Sequence, residues 1–283
     1  MTLAIAARGA STSSATALTD QTAHLKIQLL SDLHLETEVF VPEPAPGADL
    51  LVLAGDVDST WRGLQLFRDW PVPVLFVPGN HEYDGRDVDS ARAGLQALAD
   101  ELRFTLLDNA SCVRVDAQGR RVRFVGSTRW SDFDVFGAKE RPRAMRAASY
   151  FQRVMAASRD GLPFDAQAVR AEALTCLDWL TQELSLGDAS TDWDATVVIT
   201  HFAPSLRSAD PRYGKQPGTA SFCNDDESLF AQTRLWLHGH LHCQNDYAAG
   251  STRVVCNARG HLRKGEPARF EPLLLIDVFA IAA

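Results

Sequence analysis

The sequence predicts an α/β protein, on three observations. Short apolar runs of strand length each end in a glycine or a polar residue, stretches of helical period separate them, and a middle segment alternates in the antiparallel manner. The runs are Ile27-Gln28-Leu29-Leu30, Leu50-Leu51-Val52-Leu53, Val74-Leu75-Phe76-Val77, Thr196-Val197-Val198-Ile199 and Leu235-Trp236-Leu237. Their length and branched aliphatic content argue for buried strands over helices. Residues 87–103 carry Val88, Ala91, Leu95, Leu98 and Leu102 close to helical spacing, and residues 167–186 repeat the pattern with Val169, Ala173, Leu174, Leu177, Leu180 and Leu184. Val113-Arg114-Val115, a turn over 116–119 and Val122-Arg123-Phe124-Val125 form the antiparallel unit. Residues 253–256 and 273–278 read as closing strands. Two mixed sheets packed together, with helices outside, fit this order.

The remaining segments punctuate that pattern. Residues 130–163 are less regular and mix Arg141, Arg143 and Arg146 with Phe133, Phe136 and Tyr150, which reads as an insertion over one face, a candidate lid. Residues 1–23 are rich in Ala, Ser and Thr and read as a flexible extension before a single domain, 24–283. They lack the basic start and unbroken apolar centre of a secretory signal.

Composition narrows the function. The 283 residues are 46% hydrophobic and 23% charged, and 36 acidic against 28 basic side chains leave a net charge of −8. A chain this long buries roughly three quarters of its unfolded surface, so disorder and small stapled scaffolds are excluded. An acidic chain without a basic run is poorly suited to stable, extended nucleic-acid binding. No apolar stretch reaches the roughly 20 residues that span a bilayer. Cys112, Cys176, Cys223, Cys243 and Cys256 are scattered, with no C-x-x-C pair, and read as thiols of a soluble protein in a reducing cytoplasm.

The chemistry follows the apolar runs. After them come Asp32-Leu33-His34, Gly55-Asp56, Gly79-Asn80-His81-Glu82, His201 and Gly239-His240-Leu241-His242. In α/β sheets ligands collect at the carboxyl ends of strands, so these sets are expected to converge. All offer carboxylate, amide oxygen or imidazole and none offers thiolate, which argues against a structural zinc site. Asp32, His34, Asp56, Asn80, His201, His240 and His242 supply seven protein ligands, more than one cation needs. Two sites sharing Asp56 as a bridge would have four each. Two cations about 4 Å apart lower the pKa of a bridging water and clamp a phosphoryl group.

In this order, D-x-H, G-D, G-N-H-E, a lone His after a strand and G-H-x-H resemble the calcineurin-like metallophosphoesterases. The resemblance implies two mixed sheets face to face, flanked by helices in four layers, around a dinuclear centre. Carried over by position, Asp32, His34, Asp56 and His242 hold one metal, Asp56, Asn80, His201 and His240 the other, and His81 is the catalytic histidine. Residues 126–133, Gly-Ser-Thr-Arg-Trp-Ser-Asp-Phe, resemble the G-x-T-L-W-x-D-F segment of a bacterial branch, with Arg129 in place of Leu. Val255-Cys256-Asn257-Ala258-Arg259-Gly260 resembles its N-P-R-G-Y element, with Ala258 for Pro and His261 for Tyr. Thr60 stands where protein phosphatases of the G-D-x-x-D-R-G type carry a phosphate-gripping Arg, which argues against that activity.

The expected function is metal-dependent hydrolysis of a small phosphodiester or nucleotide. A phosphomonoesterase is the alternative; a nuclease component or a non-catalytic scaffold fits less well, since the ligand set is complete. Mixed oxygen and imidazole ligation does not by itself select a metal; Mn²⁺ is the first choice, with Fe, Zn²⁺ and Ni²⁺ as alternatives. Arg207, Tyr213 and Arg259 are candidate substrate contacts. His238 reads as a hydrogen-bonded core residue, His24 and His261 as surface or loop residues, and Glu82 and Asp84 as braces of the Asn80–His81 loop. Trp130 and Phe133 read as core.

Overall fold

The computed structural model describes residues 24–186 and 192–280, so the expected N-terminal extension, 1–23, lies outside the described residues. Strands β1 (Lys26–Leu30), β2 (Leu50–Leu53) and β3 (Val74–Phe76) run parallel, with Ile27 opposite Leu50 and Leu51 opposite Val74. Helix α1 (Val88–Leu102) follows, started by the Asp87 carboxylate accepting from Ser90 N and stopped at Arg103, whose φ is 61°. Then come β4 (Thr105–Leu106) and the antiparallel pair β5 (Ala110–Val115) and β6 (Arg121–Ser127). Helix α2 (Arg141–Met155), the small hairpin β7 (Ser158–Arg159) with β8 (Leu162–Pro163), and α3 (Ala166–Ser185) lead to β9 (Ala195–Thr200) and β10 (Leu235–His238). The chain closes with β11 (Gln244–Ala249), β12 (Thr252–Asn257) and β13 (Leu275–Asp277).

These strands make two mixed sheets, in the orders β13-β1-β2-β3-β4 and β11-β12-β10-β9-β6-β5. The strand period of two divides each sheet's side chains between two faces. Ile27, Leu29 and Val52 of the first sheet meet Phe124, Val197 and Leu237 of the second in one buried cluster between the sheets. On the outer face of the first sheet, Leu51, Leu53 and Phe76 pack against Val88, Leu95 and Ala99 of α1. On the outer face of the second, Val125, Val198 and Trp236 pack against Leu180 and Leu184 of α3. The result is helix, sheet, sheet, helix, as expected.

Besides the two-residue strands β4, β7 and β8, two longer elements were not legible in the sequence. Helix α2 occupies the segment expected to be irregular; it buries Ala144, Ala148 and Met155, a stripe of mostly small side chains that leaves a faint apolar period. Strand β11 is a polar edge strand, Gln-Asn-Asp-Tyr-Ala-Ala, without the alternation that marks a half-buried strand. Trp130 and Phe133 are buried in the core, 1% and 2% exposed.

The carboxyl ends of β1, β2 and β3 lie beside those of β9, β10 and β12. A bridge between Ser31 and Ala258 joins the two sheets there, and Arg259 N and Gly260 N donate to the carbonyls of Ser31 and Asp32, each at 2.9 Å. This seam carries the site.

Candidate metal centre

At the ends of β1, β2 and β10 the backbone bends sharply. Asp32, His34, Asp56, His240 and His242 all take left-handed backbone conformations, with φ of 54°, 48°, 52°, 69° and 48°. Such conformations are unfavourable for residues with a Cβ and persist where the surroundings over-determine them. The motif glycines explain what surrounds them. A Cβ on Gly55 would collide with His201 Nδ1, and one on Gly79 with the Asp56 carboxylate. A Cβ on Gly239 would meet Ser31 Oγ and Asp32 Oδ2. Each glycine therefore lets a neighbouring candidate ligand approach the backbone.

The converging side chains form two groups. Donor atoms of Asp32, Asp56, His201 and His240 lie within 4.8 Å of one another, as do those of His34, His242 and His261. The groups meet where His242 Nε2 stands 3.3 Å from Asp32 Oδ1. Asn80 joins the first, its Oδ1 lying 3.2 Å from His201 Nε2, and Asp56 Oδ2 is also 3.2 Å from that nitrogen. His81 N donates to Asp56 Oδ1 at 2.8 Å, and its ring centroid is 5.3 Å from that of His34. Every sequence-assigned ligand and His81 thus reach one locus.

The donor pattern fits cations. His34 Nδ1 faces Glu36 at 3.2 Å and His242 Nδ1 faces Glu266 at 2.7 Å, so the two Nε2 atoms confront each other 3.0 Å apart. With both Nδ1–H groups donating outward, two lone pairs meet unless a proton or cation sits between them. His201 is arranged likewise: Nδ1 faces the Ala54 carbonyl at 2.9 Å, which turns Nε2 to the oxygens of Asp56 and Asn80. Asp56 Oδ2 is buried and makes no well-aligned hydrogen bond, its neighbour being His201 Nε2. A buried carboxylate oxygen left in this state is a strong acceptor for a cation.

Electrostatics follow from the same contacts. Against its burial, the hydrogen bond from His242 and the charge of His201 hold Asp32 down at about 2. Burial opposes protonation of His201 and His242, but Asp56 raises the first to about 9, and the hydrogen bonds with Asp32 and Glu266 raise the second to about 9. Burial and the charge of His201 push His240 down to about 3. Glu82 is fully buried and takes backbone N–H bonds from Asp56 at 2.9 Å, Val57 at 2.8 Å and Gly79 at 2.6 Å, so it ties the G-D loop to the G-N-H loop. Asp84 accepts from His81 Nδ1 at 2.8 Å. Burial would lower the pKa of His81, but Asp56 and Asp84 outweigh it and hold the imidazole up at about 10.

Arg207, Tyr213, Arg259 and His238 are not among the clustered donors. Arg207 donates to the Ala248 carbonyl and its guanidinium sits 4.5 Å from the centroid of the Tyr247 ring; Tyr213 is exposed. Arg259 is 6% exposed and reaches Glu38 at 3.3 Å. His238 is buried, hydrogen-bonded to Ser208 Oγ and the Gly239 carbonyl, each at 3.0 Å. His261, expected in a surface loop, is in a loop yet inside the imidazole group. The signal that could have found it is its place directly after Gly260, whose Cβ would come within 2.8 Å of the His242 Cβ.

Comparison with known proteins decides the family. The model of the calcineurin-like phosphoesterases matches residues 25–244. The chain belongs to that family. It is a phosphoester hydrolase, and the family's dinuclear chemistry suits the Asp and His groups described above. Its fold is similar to that of the phosphopantetheinyl hydrolase PptH from Mycobacterium tuberculosis, with a TM-score of 0.70 at 19% identity over 91% of this chain and 96% of that one. An uncharacterised protein, L509, of Acanthamoeba polyphaga mimivirus is 22% identical over 248 residues, covering 81% of this chain and 83% of that protein. A UDP-2,3-diacylglucosamine hydrolase of Stenotrophomonas maltophilia (strain K279a) is 34% identical over 100 residues, 27% of this chain and 40% of that protein. No helix among the described residues is long and apolar enough to cross a membrane.

Proposed function

We propose that the centre hydrolyses a small phosphodiester or nucleotide ester. The carrying observation is the convergence of Asp32, His34, Asp56, Asn80, His201, His240 and His242 at adjoining strand ends, with their outer ring nitrogens engaged and Asp56 Oδ2 unsatisfied. Two divalent cations, when bound, supply the charge that activates a water and clamps the phosphoryl oxygens. Asp32, His34, Asp56 and His242 would hold one, and Asp56, Asn80, His201 and His240 the other. Mn²⁺ is the preferred cation, with Fe, Zn²⁺ and Ni²⁺ as alternatives.

The chain's own residues do the rest. Asp84 fixes Nδ1 of His81, and the protonated ring donates to the departing ester oxygen; general-acid help of this kind is worth roughly 10²–10⁴-fold. Segment 130–163 is proposed as a lid that restricts which esters enter; in support, its helix α2 packs on the Pro217–Ser221 turn, where the Ser221 carbonyl faces His240 Nε2 at 3.2 Å. Arg207, Tyr213 and Arg259 remain proposed as rim contacts. The five cysteines are free thiols, which supports a cytoplasmic setting.

A panel of small phosphodiesters, nucleotides and phosphomonoesters assayed with the Mn²⁺-loaded chain tests the substrate class. Higher kcat/KM for diesters supports the reading. Turnover confined to monoesters establishes the phosphomonoesterase alternative instead.

A further inference from the structure

His261 stands among the candidate ligands although nothing in the family pattern places a nitrogen donor there. Its ring stacks on His34 with centroids 4.5 Å apart and meets His242 edge-on at 5.2 Å. Donor atoms of the three rings lie within 4.8 Å of one another. Nδ1 of His34 and of His242 are hydrogen-bonded to Glu36 at 3.2 Å and Glu266 at 2.7 Å, and Glu38 stands 3.4 Å from His261 Nδ1, which is buried without a hydrogen bond. Metal-bound histidines usually turn their second nitrogen to a carboxylate or carbonyl, which fixes the tautomer and strengthens the donor.

The backbone holds His261 by the same frame as the candidate ligands. Gly260 N donates to the Asp32 carbonyl at 2.9 Å, and His261 N donates to Glu266 Oε2 at 2.7 Å, the oxygen that also faces His242 Nδ1. A solvent-facing loop histidine would need none of these ties.

We propose that His261 is a third imidazole donor to the cation held by His34 and His242. The proposal rests on the two-cation reading of the centre. An added nitrogen favours borderline cations such as Zn²⁺, Fe²⁺ or Ni²⁺ at that one site, so the preference for Mn²⁺ applies to the other.

The test is Co²⁺ titration of the metal-stripped full chain, followed by visible absorption and by competition with a chelator. His261→Phe keeps an aromatic ring against His34 and removes both nitrogens. The expected result is that wild type binds two Co²⁺ and that His261→Phe weakens one by at least about tenfold, with a changed spectrum, and leaves the other as it was. Glu38→Gln should weaken the same site by a smaller factor. If His261→Phe does not fold, His261→Gln is measured in its place. Wild-type binding of two Co²⁺ with both affinities and the spectrum unchanged in the variant overturns the proposal alone. Failure of the wild type to bind two overturns the reading of the centre beneath it.

Discussion

Five candidate ligands are held in left-handed backbone at one end of the sandwich, and the neighbouring glycines make that geometry sterically feasible. Replacing Gly79 or Gly239 by Ala should therefore act on the Asp56 or Asp32 carboxylate. Metal content should fall with either variant while circular dichroism stays native; full metal content in both would show that the close approach is dispensable. Asp56→Ala, which removes the proposed bridge, should lose metal and turnover together. His81→Ala should keep its metal and lose roughly 10²–10⁴ in kcat, together with the alkaline limb of the pH profile, where the wild-type ring gives up its proton. Equal metal loss in the two variants would mean that His81 is a ligand. The candidate ligands were legible in the sequence because each follows an apolar run and a turn. His261 was not, since its neighbours in space, His34 and His242, are distant in sequence and only the Gly260 approach hints at the contact.

Between elements, one buried cation fastens the segment after β6 to the loops before β10. Arg129 is buried, with Nη2 donating to Asp226 at 2.7 Å and Asp132 at 2.8 Å, and Nη1 to the carbonyls of Trp130 at 3.0 Å and Ala173 at 3.2 Å. This accounts for Arg in place of the Leu of the similar segment: Asp226, 1% exposed, needs a partner. Arg129→Leu strands that carboxylate and should cost about 3–5 kcal/mol, read as a lower urea midpoint, with part recovered on adding Asp226→Asn. An unshifted midpoint in the single variant would contradict the network. Strands β1, β2, β9 and β10 were legible because nearly all their residues are buried on both faces and they read as short, mostly apolar runs. Helix α2 was not, because its buried side is Ala144 and Ala148, whose apolar signal is lost among the surrounding arginines.

Across the whole molecule, the sheets meet at the Ser31–Ala258 bridge, so cations bound at this seam stabilise the packing of one sheet on the other. In the metal-free chain His201 and His242, each raised to about 9 from an ordinary value near 6.5, contribute stability below about 6.5 that is lost as pH rises through 9. Cations need the neutral rings, so metal affinity should rise over the same interval and loading at pH 7 should release about two protons. The melting temperature of the stripped chain should fall from pH 6.5 to 9, while the gap between loaded and stripped chains widens. A constant gap across that interval would contradict the assignment of these two histidines to cations. The most direct test of the central claim is hydrolysis of a small activated diester, followed as metal is returned to the stripped chain. Asp56 as a shared bridge predicts negligible turnover without metal and full turnover only at two equivalents; undiminished turnover in a chain shown to be metal-free, or saturation at one equivalent, would contradict it.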